Sequence, residues 1–524
     1  MVVVYGCNRD WYKYLEVNIY ALLKYNHTVE KIYILCEDNN MNNFNYLKKI
    51  KSTYNVDFII YNITDLIYKY FNGKYNSNLI YTDFAYSKLL ISEVVKDDKV
   101  LYLDVDTIVK DDISKLWNYN IQGYYAAGVK DNGGFENDHN KKIGAVGKYV
   151  NTGVLLLNCE LIRRDRLVEK FFNIINSRNL RYPDQDAFNI VCGNRTIYVP
   201  SMFNNAFNEL FDVTKYVKNP KLRFVYHYTG DKTNWVADKY FAEEWYFEYF
   251  EMLKRYKDNY INRIRVAFSS NRNLYKYLAF NVYNLLKYNK GVETLYLIIE
   301  DDDISSIPNL EDVLNLFDVD VKIINFSKVK YNYLTFDCSN LNSSFSDFCF
   351  GKLLLSEFTG EDKIIYLDMD TVVKKDISIL FNMEIDDVYA LGVKDYGVLD
   401  DNNHYGSLNI STKYINTGVM VLNLKKIRED NLVDKLFNYI NNNKLKYPDQ
   451  DAFNIICNDK IRYIPSIFNC CNFVTKEVLN YDNIYIFHYP GNKHNWIIDH
   501  YYSEDYYVEF YEFLKKFNID YSEI

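Results

Sequence analysis

The chain has 524 residues, 48% of them hydrophobic and 25% charged, with a formal net charge of −9. That length suits two domains of roughly 250 residues, each able to bury its own core. The acidic balance argues against a nucleic-acid partner, and no window offers the roughly 20 apolar residues of a transmembrane span.

The amino terminus, MVVVYGCN, has no charged leader and enters a strand over 2–5 directly. A polar turn follows, then a helical pattern over 11–25 and an apolar strand over 31–35. The run Val100–Leu103 reads as a further buried strand and ends at Asp104 and Asp106. An aromatic, charged helix over 241–256 closes this half. The order then begins again, with a strand over 265–268, a helix over 274–288 and a strand over 294–299. The apolar run Ile364–Leu367 precedes Asp368 and Asp370 in the same way. Strands alternating with helices predict an α/β fold with a mostly parallel sheet covered on both faces. The domains are expected over 1–260 and 261–524. Without a Gly/Ser-rich linker they should be docked rather than freely tethered.

The repeat is explicit in the offsets. YLDVDT from Tyr102 recurs as YLDMDT from Tyr366, 264 residues on. NTGV from Asn151 and YPDQDAFN from Tyr182 recur from Asn416 and Tyr447, both at 265. HYTGDKTNW from His227 recurs as HYPGNKHNW from His488, at 261. A near-constant offset over half the chain is a tandem duplication of one large domain, not a short-repeat solenoid. The drop of four places one deletion between Pro465 and His488, most simply in a loop. Nine cysteines without a CxxC pair indicate a reducing, cytoplasmic setting. Cys192 and Cys457, in matching apolar runs, read as core residues.

Each Asp-x-Asp carries the first chemical signal. Two Asp at i and i+2 leave a strand end on one face, about 7 Å apart. Ligands of open α/β sheets bind beyond the carboxyl ends of the strands. Two acids aimed into one crevice repel unless a cation joins them, and oxygen ligation favours Mg2+ or Mn2+. The chain has only seven His, yet His227 and His488 occupy equivalent places before Tyr-x-Gly, where a neutral imidazole is a plausible third ligand.

Other repeated residues carry two readings each. Pro183 with Asp184 and Asp186 is an ordinary helix start, acids near the positive dipole end, but capping does not ask for Gln185, or for Gln450 in the second copy. On a helix over 82–92, Lys88 shares an apolar stripe with Tyr81, Phe84, Ala85 and Ile91. Lys352 lies among Phe345, Phe348, Cys349 and Leu355. An ammonium there either pairs with a site carboxylate or touches a bound anion, and both can hold. Asn151 and Asn416 open an apolar strand in which Thr-Gly allows close backbone approach.

YLDVDT and YLDMDT, followed in order by NTGV, DQDAFN and HYxG…W, resemble glycosyltransferase family 8, the group of glycogenin and the bacterial lipopolysaccharide galactosyl- and glucosyltransferases. The resemblance covers both copies almost end to end. It implies a duplicated GT-A fold, a UDP-hexose donor, Mn2+ (or Mg2+) dependence and retention of anomeric configuration. By the same resemblance, Asp104, Asp106 and His227 hold one metal ion, and Asp368, Asp370 and His488 the other. Asp184 and Asp449 fall on sugar hydroxyls, and Gln185 and Gln450 at the reacting carbon. Lys88, Asp131, Asn151, Lys352, Asp395 and Asn416 fall on the donor sugar.

For uridine the family has Asp and an aromatic Tyr in the first turn. Asn8 and Trp11 align there in copy one, Asn271 and Leu274 in copy two, so the second site should bind donor more weakly unless Tyr275 replaces the platform. Gly230 with Lys232, and Gly491 with Lys493, align near the diphosphate. Each Lys stands three residues before Trp rather than two, with Thr233 or His494 in the usual place. The stretches 132–148 and 396–413 differ most and suit different acceptors. No enzyme nucleophile is evident, so front-face attack assisted by the leaving phosphate is favoured over a covalent intermediate.

The expected function is a bifunctional cytoplasmic transferase adding two sugars in sequence to a glycan, lipid-linked or protein-linked acceptor. A glycogenin-like primer that glycosylates its own tyrosines, and a sugar-nucleotide-binding scaffold with an inactive half, are the alternatives.

Overall fold

The computed structural model describes residues 1–71, 83–131, 139–206, 223–228, 243–335, 346–395, 397–398, 402–408, 410, 413–471, 483–490 and 504–519. They form two compact units, the second lying mainly from Asn259 onward. None of their helices is long and apolar enough to cross a membrane.

In the first unit the strands are β1 (Val2–Gly6), β2 (Lys31–Cys36), β3 (Asp57–Asn62), β4 (Lys99–Leu103), β5 (Thr107–Val109), β6 (Ala126–Lys130), β7 (Val150–Asn158), β8 (Thr196–Val199), β9 (Asn205–Ala206) and β10 (Val225–His227). Seven make one sheet in the order β3-β2-β1-β4-β7-β6-β8. All run parallel except β7, which is antiparallel to both neighbours. Every residue of β1 is buried, as a strand covered on both faces requires. The remaining three make a small sheet, β5-β10-β9. Its register sets His227 opposite Thr107, one residue beyond Asp106.

The second unit repeats this with β11 (Ile264–Ser269), β12 (Val292–Ile299), β13 (Asp320–Asn325), β14 (Lys363–Leu367), β15 (Thr371–Val373), β16 (Ala390–Lys394), β17 (Ile415–Asn423), β18 (Ile461–Tyr463), β19 (Cys470–Cys471) and β20 (Ile486–His488). Its sheets run β13-β12-β11-β14-β17-β16-β18 and β15-β20-β19, and His488 stands opposite Thr371.

The helices that matter for the site in unit one are α1 (Tyr12–Tyr25), α2 (Ser87–Val94), α3 (Pro183–Cys192) and α4 (Glu243–Tyr256). Their counterparts in unit two include α5 (Tyr275–Tyr288), α6 (Pro448–Cys457) and α7 (Glu504–Phe517). The closing helix docks through a buried acid. Glu248 takes Lys24, Tyr25 and Lys110, and Glu509 takes Lys287, Tyr288 and Lys374. Cys192 and Cys457 are buried in the core, and the described cysteines are free thiols.

The helix expected over 82–92 differs. Lys88 lies on α2, preceded by a 3-10 turn at Asp83–Tyr86. Lys352 lies on a longer 3-10 segment, Asp347–Leu354. A glycine exchange accompanies the change. A Cβ on Gly6 would fall 1.8 Å from Ser87 Oγ, whereas in unit two the small residue is Gly351, whose Cβ would meet Ser269 Oγ at 2.8 Å. Strand and helix approach each other so closely that one of the facing pair is glycine, and the copies chose opposite sides.

One buried acid belongs to the first unit alone. Glu16 on α1 is 1% exposed and accepts the amides of Tyr46 and Leu47; Ala279 takes its place in α5. Burial pushes its carboxyl up to about 7, against the pull of those amides. The folded chain therefore holds this proton more tightly than the unfolded one, and stability falls as pH rises from 4.5 to about 7. Glu16→Gln keeps an acceptor and removes the titration. Its melting temperature relative to the parent should rise by several degrees between pH 5 and pH 8; a pH-independent difference would contradict this account.

Candidate active site

The acidic pairs sit in a tight turn rather than along a strand. Asp104 follows β4 and Asp106 precedes β5, with the Thr107 amide and hydroxyl closing back on the Asp104 carbonyl at 3.2 and 2.7 Å. Strand alternation is therefore not what brings the carboxylates together. The Asp104 amide donates to Gly153 O at 2.7 Å, and Asn18 of α1 donates to the carbonyls of Asp104 and Thr107. Asp368 is pinned in the same way to Gly418 O and Thr371.

His227 closes the set. Its Nε2 lies 3.2 Å from Asp106 and 3.9 Å from Asp104, and the three residues offer ligand atoms within 4.8 Å of one another. Asp368, Asp370 and His488 do the same, with His488 Nε2 at 3.2 Å from Asp370. The other ring nitrogen is committed. His227 Nδ1 stands 2.8 Å from Asn204 Oδ1, and His488 Nδ1 2.8 Å from Asn469 Oδ1. An amide oxygen only accepts, so Nδ1 carries the proton and Nε2 keeps its lone pair for a cation. Two carboxylates and an imidazole fit a divalent ion of the Mg2+ or Mn2+ kind. Gly153 and Gly418 make room, since a Cβ on either would lie 2.1 or 2.2 Å from the imidazole Cε1. Without a cation, burial pushes the His488 imidazole down but the Asp370 carboxylate outweighs it and holds the ring well above its ordinary range, so a proton on Nε2 is what a bound cation would displace.

Lys88 joins this turn to the helix that opens at Pro183. Its ammonium lies 3.1 Å from both Asp104 and Asp184. Lys352 lies 3.1 Å from Asp368, 3.0 Å from Asp449 and 3.1 Å from Thr417 O. Burial pushes both ammonium groups down, and the paired carboxylates more than reverse it. Pairing with site carboxylates is thus what each Lys does. The hydroxyls of Tyr102 and Tyr366 cap the first Asp of each turn at 2.5 and 2.6 Å.

The Gln of each DQD triplet is held on every side. Gln185 Oε1 accepts the Thr152 amide, and Nε2 donates to Asp131 at 2.9 Å and Tyr149 OH at 3.3 Å. Gln450 repeats this with Thr417, Asp395 and Tyr414. Asn151 Oδ1 accepts from Asn204 and Gly153, and Asn416 Oδ1 from Asn469 and Gly418. In the second site Asn416 also donates to Asp395, and Thr417 to Asp449. Cys471 faces His488 Nδ1 at 3.6 Å where the first copy has Ala206.

Asn8 and Asn271 stand in matching places just past β1 and β11. Trp11 is half-buried with its ring 4.9 Å from Tyr14. Tyr275 cannot serve as a substitute platform: it is 3% exposed and its hydroxyl donates to Asp301, as Tyr12 does to Asp38. It is the counterpart of Tyr12, not of Trp11. Gly230, Lys232, Gly491 and Lys493 lie outside the described residues, as do Tyr81 and Phe345.

Four pairs of supporting residues escaped the sequence reading: Tyr102 with Tyr366, Tyr149 with Tyr414, Asn204 with Asn469, and His139 with His404. The last three pairs recur at the same offset of 265, a signal that was available.

With this geometry in view, the comparison with known proteins is decisive. Residues 2–238 and 265–498 each match Glycosyl transferase family 8. The chain belongs to that family. A lipopolysaccharide 1,2-glucosyltransferase of Escherichia coli K12 is 32% identical over 151 residues, 26% of this chain and 44% of that one. A lipopolysaccharide 1,3-galactosyltransferase of Salmonella typhimurium is 28% identical over 169 residues, 30% of this chain and 50% of that one. The chain thus spans about half the length of these curated relatives. Among solved structures, the galactosyltransferase LgtC in complex with donor and acceptor sugar analogues aligns with 49% of this chain and 97% of its own, at 22% identity and a TM-score of 0.41. Each unit of this family 8 chain, a mostly parallel mixed sheet flanked by helices, has the GT-A fold expected from the sequence, and it occurs twice.

Removing one partner from a buried ion pair leaves the other uncompensated. Lys88→Met should therefore lower the unfolding free energy of the first unit by about 3 kcal/mol, and Lys352→Met that of the second. Urea denaturation of the intact chain reads this, and unchanged midpoints would mean the carboxylates have other partners.

Proposed function

We propose that the chain is a retaining, metal-dependent hexosyltransferase with two catalytic domains, 1–260 and 261–524, acting in the cytoplasm. Each moves glucose or galactose from a UDP-sugar, and together they make two sequential additions to a glycan, lipid-linked or protein-linked acceptor. One observation carries this: both units keep a complete Asp/Asp/His set beside a DQD helix. The relatives named above, a glucosyl- and a galactosyltransferase, support the choice of hexose.

Asp104, Asp106 and His227, and their counterparts, would hold Mn2+ (or Mg2+), which when bound offsets the charge on the departing diphosphate. Lys88 and Lys352 add a fixed positive charge beside the same groups. Asn151, Asp131 and Asp184 hold sugar hydroxyls, as do Asn416, Asp395 and Asp449. Gln185 and Gln450 hold their amides at the reacting carbon. In front-face attack the acceptor oxygen bonds to the anomeric carbon on the side from which the phosphate oxygen leaves. The acceptor's proton passes to that phosphate oxygen, so configuration is retained without an enzyme nucleophile. The Lys232 and Lys493 segments would meet the diphosphate near Gly230 and Gly491.

A panel of UDP-hexoses with Mn2+ tests this in the intact chain. Asp106→Asn and Asp370→Asn should each abolish one transfer and lower bound Mn2+ from two ions per chain to one. If neither variant changes sugar transfer, the enzymatic reading fails.

Trp11 offers an aromatic face where Leu274 offers none, and stacking contributes about 0.5–1.5 kcal/mol beyond area. With one site silenced at a time, UDP should bind the second site roughly 2- to 10-fold more weakly. Equal or reversed affinities would overturn this.

A further inference from the structure

Each unit contains a buried relay behind its Gln that the chemistry above does not use. Asp186, second acid of the DQD triplet, is 0% exposed, and so needs donors for its lone pairs. It has three. The Tyr182 amide reaches Oδ2 at 3.1 Å, and Tyr149 OH and His139 Nε2 reach Oδ1 at 2.5 and 2.8 Å. In the second unit Asp451 takes the Tyr447 amide at 2.9 Å, Tyr414 OH at 2.5 Å and His404 Nε2 at 3.0 Å.

The direction of each bond follows from the groups. A carboxylate only accepts, so His139 presents an N–H on Nε2 and Tyr149 spends its single proton on Asp186. The tyrosine oxygen is left as an acceptor, and Gln185 Nε2 donates to it. The amide of Gln185 is thereby oriented, nitrogen toward Tyr149 and Asp131, oxygen toward the Thr152 amide.

Asp131 and His139 are thus fastened to consecutive residues of α3, Asp131 to Gln185 and His139 to Asp186. Asp395 and His404 are fastened to Gln450 and Asp451 in the same manner. The linking sequences, NGGFEND and YGVLDDNN, differ in length and composition, yet the His–Asp contact is common to both.

We propose that His139 and His404 are positioning residues. Through Asp186 or Asp451 and then Tyr149 or Tyr414, they fix the side-chain amide of Gln185 or Gln450. This rests on the placing of that Gln at the reacting carbon, and the test separates the two ideas.

In the full chain carrying Asp370→Asn, His139→Ala should lower kcat for transfer about tenfold or more, while the Kd for UDP with Mn2+ shifts less than twofold. His139→Gln, which restores an N–H donor of similar reach, should recover most of the loss. His404 is tested likewise with Asp106→Asn. Hydrogen exchange in the absence of substrate reads the same link independently. Amides of 183–189 should exchange faster in His139→Ala and return toward the parent rate in His139→Gln. Unchanged exchange, equal losses in UDP affinity and kcat, or failure of Gln to restore either readout would overturn the proposal. A parent chain inactive on every UDP-hexose would sink the transferase reading instead, and the exchange result would still decide the role of His139.

Discussion

Everything at the two sites is arranged around one buried ammonium between two carboxylates. Lys88 and Lys352 lie almost out of water, where an unpaired charge would be costly. Each takes one acid from the turn after β4 or β14 and another from the helix that opens at Pro183 or Pro448. Two acids that would otherwise repel can then share a crevice, and the Asp-x-Asp turn is tied to the DQD helix. Such an ion cluster is weak support for stability in itself, since desolvation cancels much of the attraction. What it contributes is placement, because the ammonium tolerates no arrangement in which either carboxylate moves away.

A second chain of contacts does the same for the imidazole. His227 is oriented by Asn204, Asn204 by Asn151, and Asn151 by the amide of Gly153. That glycine in turn leaves room for the ring. The sequence NTGV is therefore explained as a unit: Asn anchors the relay, Thr offers its amide to the DQD glutamine, and Gly admits the histidine. Nearly all these bonds join side chains to backbone or to other buried amides, so each has few alternatives.

How much of this was legible in the sequence depended on whether the signal was local or brought together by the fold. Hydrophobic runs located β1, β4 and their repeats to within a residue or two, because a strand buried on both faces has little freedom of composition. The metal-type triads were legible because the chain states them twice. The turn that joins Asp104 to Asp106 was not, since alternation along a strand predicts a similar pairing by a different route. The exception left open for Tyr275 as an aromatic platform could not be closed from the sequence, because its partner in the fold, Asp301, is remote in sequence. His139 and His404 were hidden inside stretches that look unrelated; the shared offset of 265 marks them as a pair, but only their common contact with a buried Asp shows what the pair does.

The duplication separates what this fold needs from what it tolerates. Where a residue reaches a buried charge, the copies agree in side chain and in distance. Elsewhere they exchange solutions: Gly6 and Ser87 for Ser269 and Gly351, Tyr5 for Phe268, Ala206 for Cys471. The Tyr5 exchange has a visible consequence. Tyr5 OH donates to Asn18 Oδ1 in the first unit, whereas Phe268 offers no donor, and Asn281 Oδ1 is buried without a hydrogen bond among the described residues. Asn281 has accordingly turned its amide to the carbonyl of Tyr277, and Asn284 takes over the bridge from helix to strand β15 through the Val373 amide. The task of tying the first long helix to the small sheet survives a change of residue, because a backbone N–H donates to any well-placed oxygen. Pairing with a buried carboxylate is more exacting: it demands a proton donor at one distance and one angle, and so the Lys, Tyr, His and Gln of both sites stay the same while the surface around them diverges.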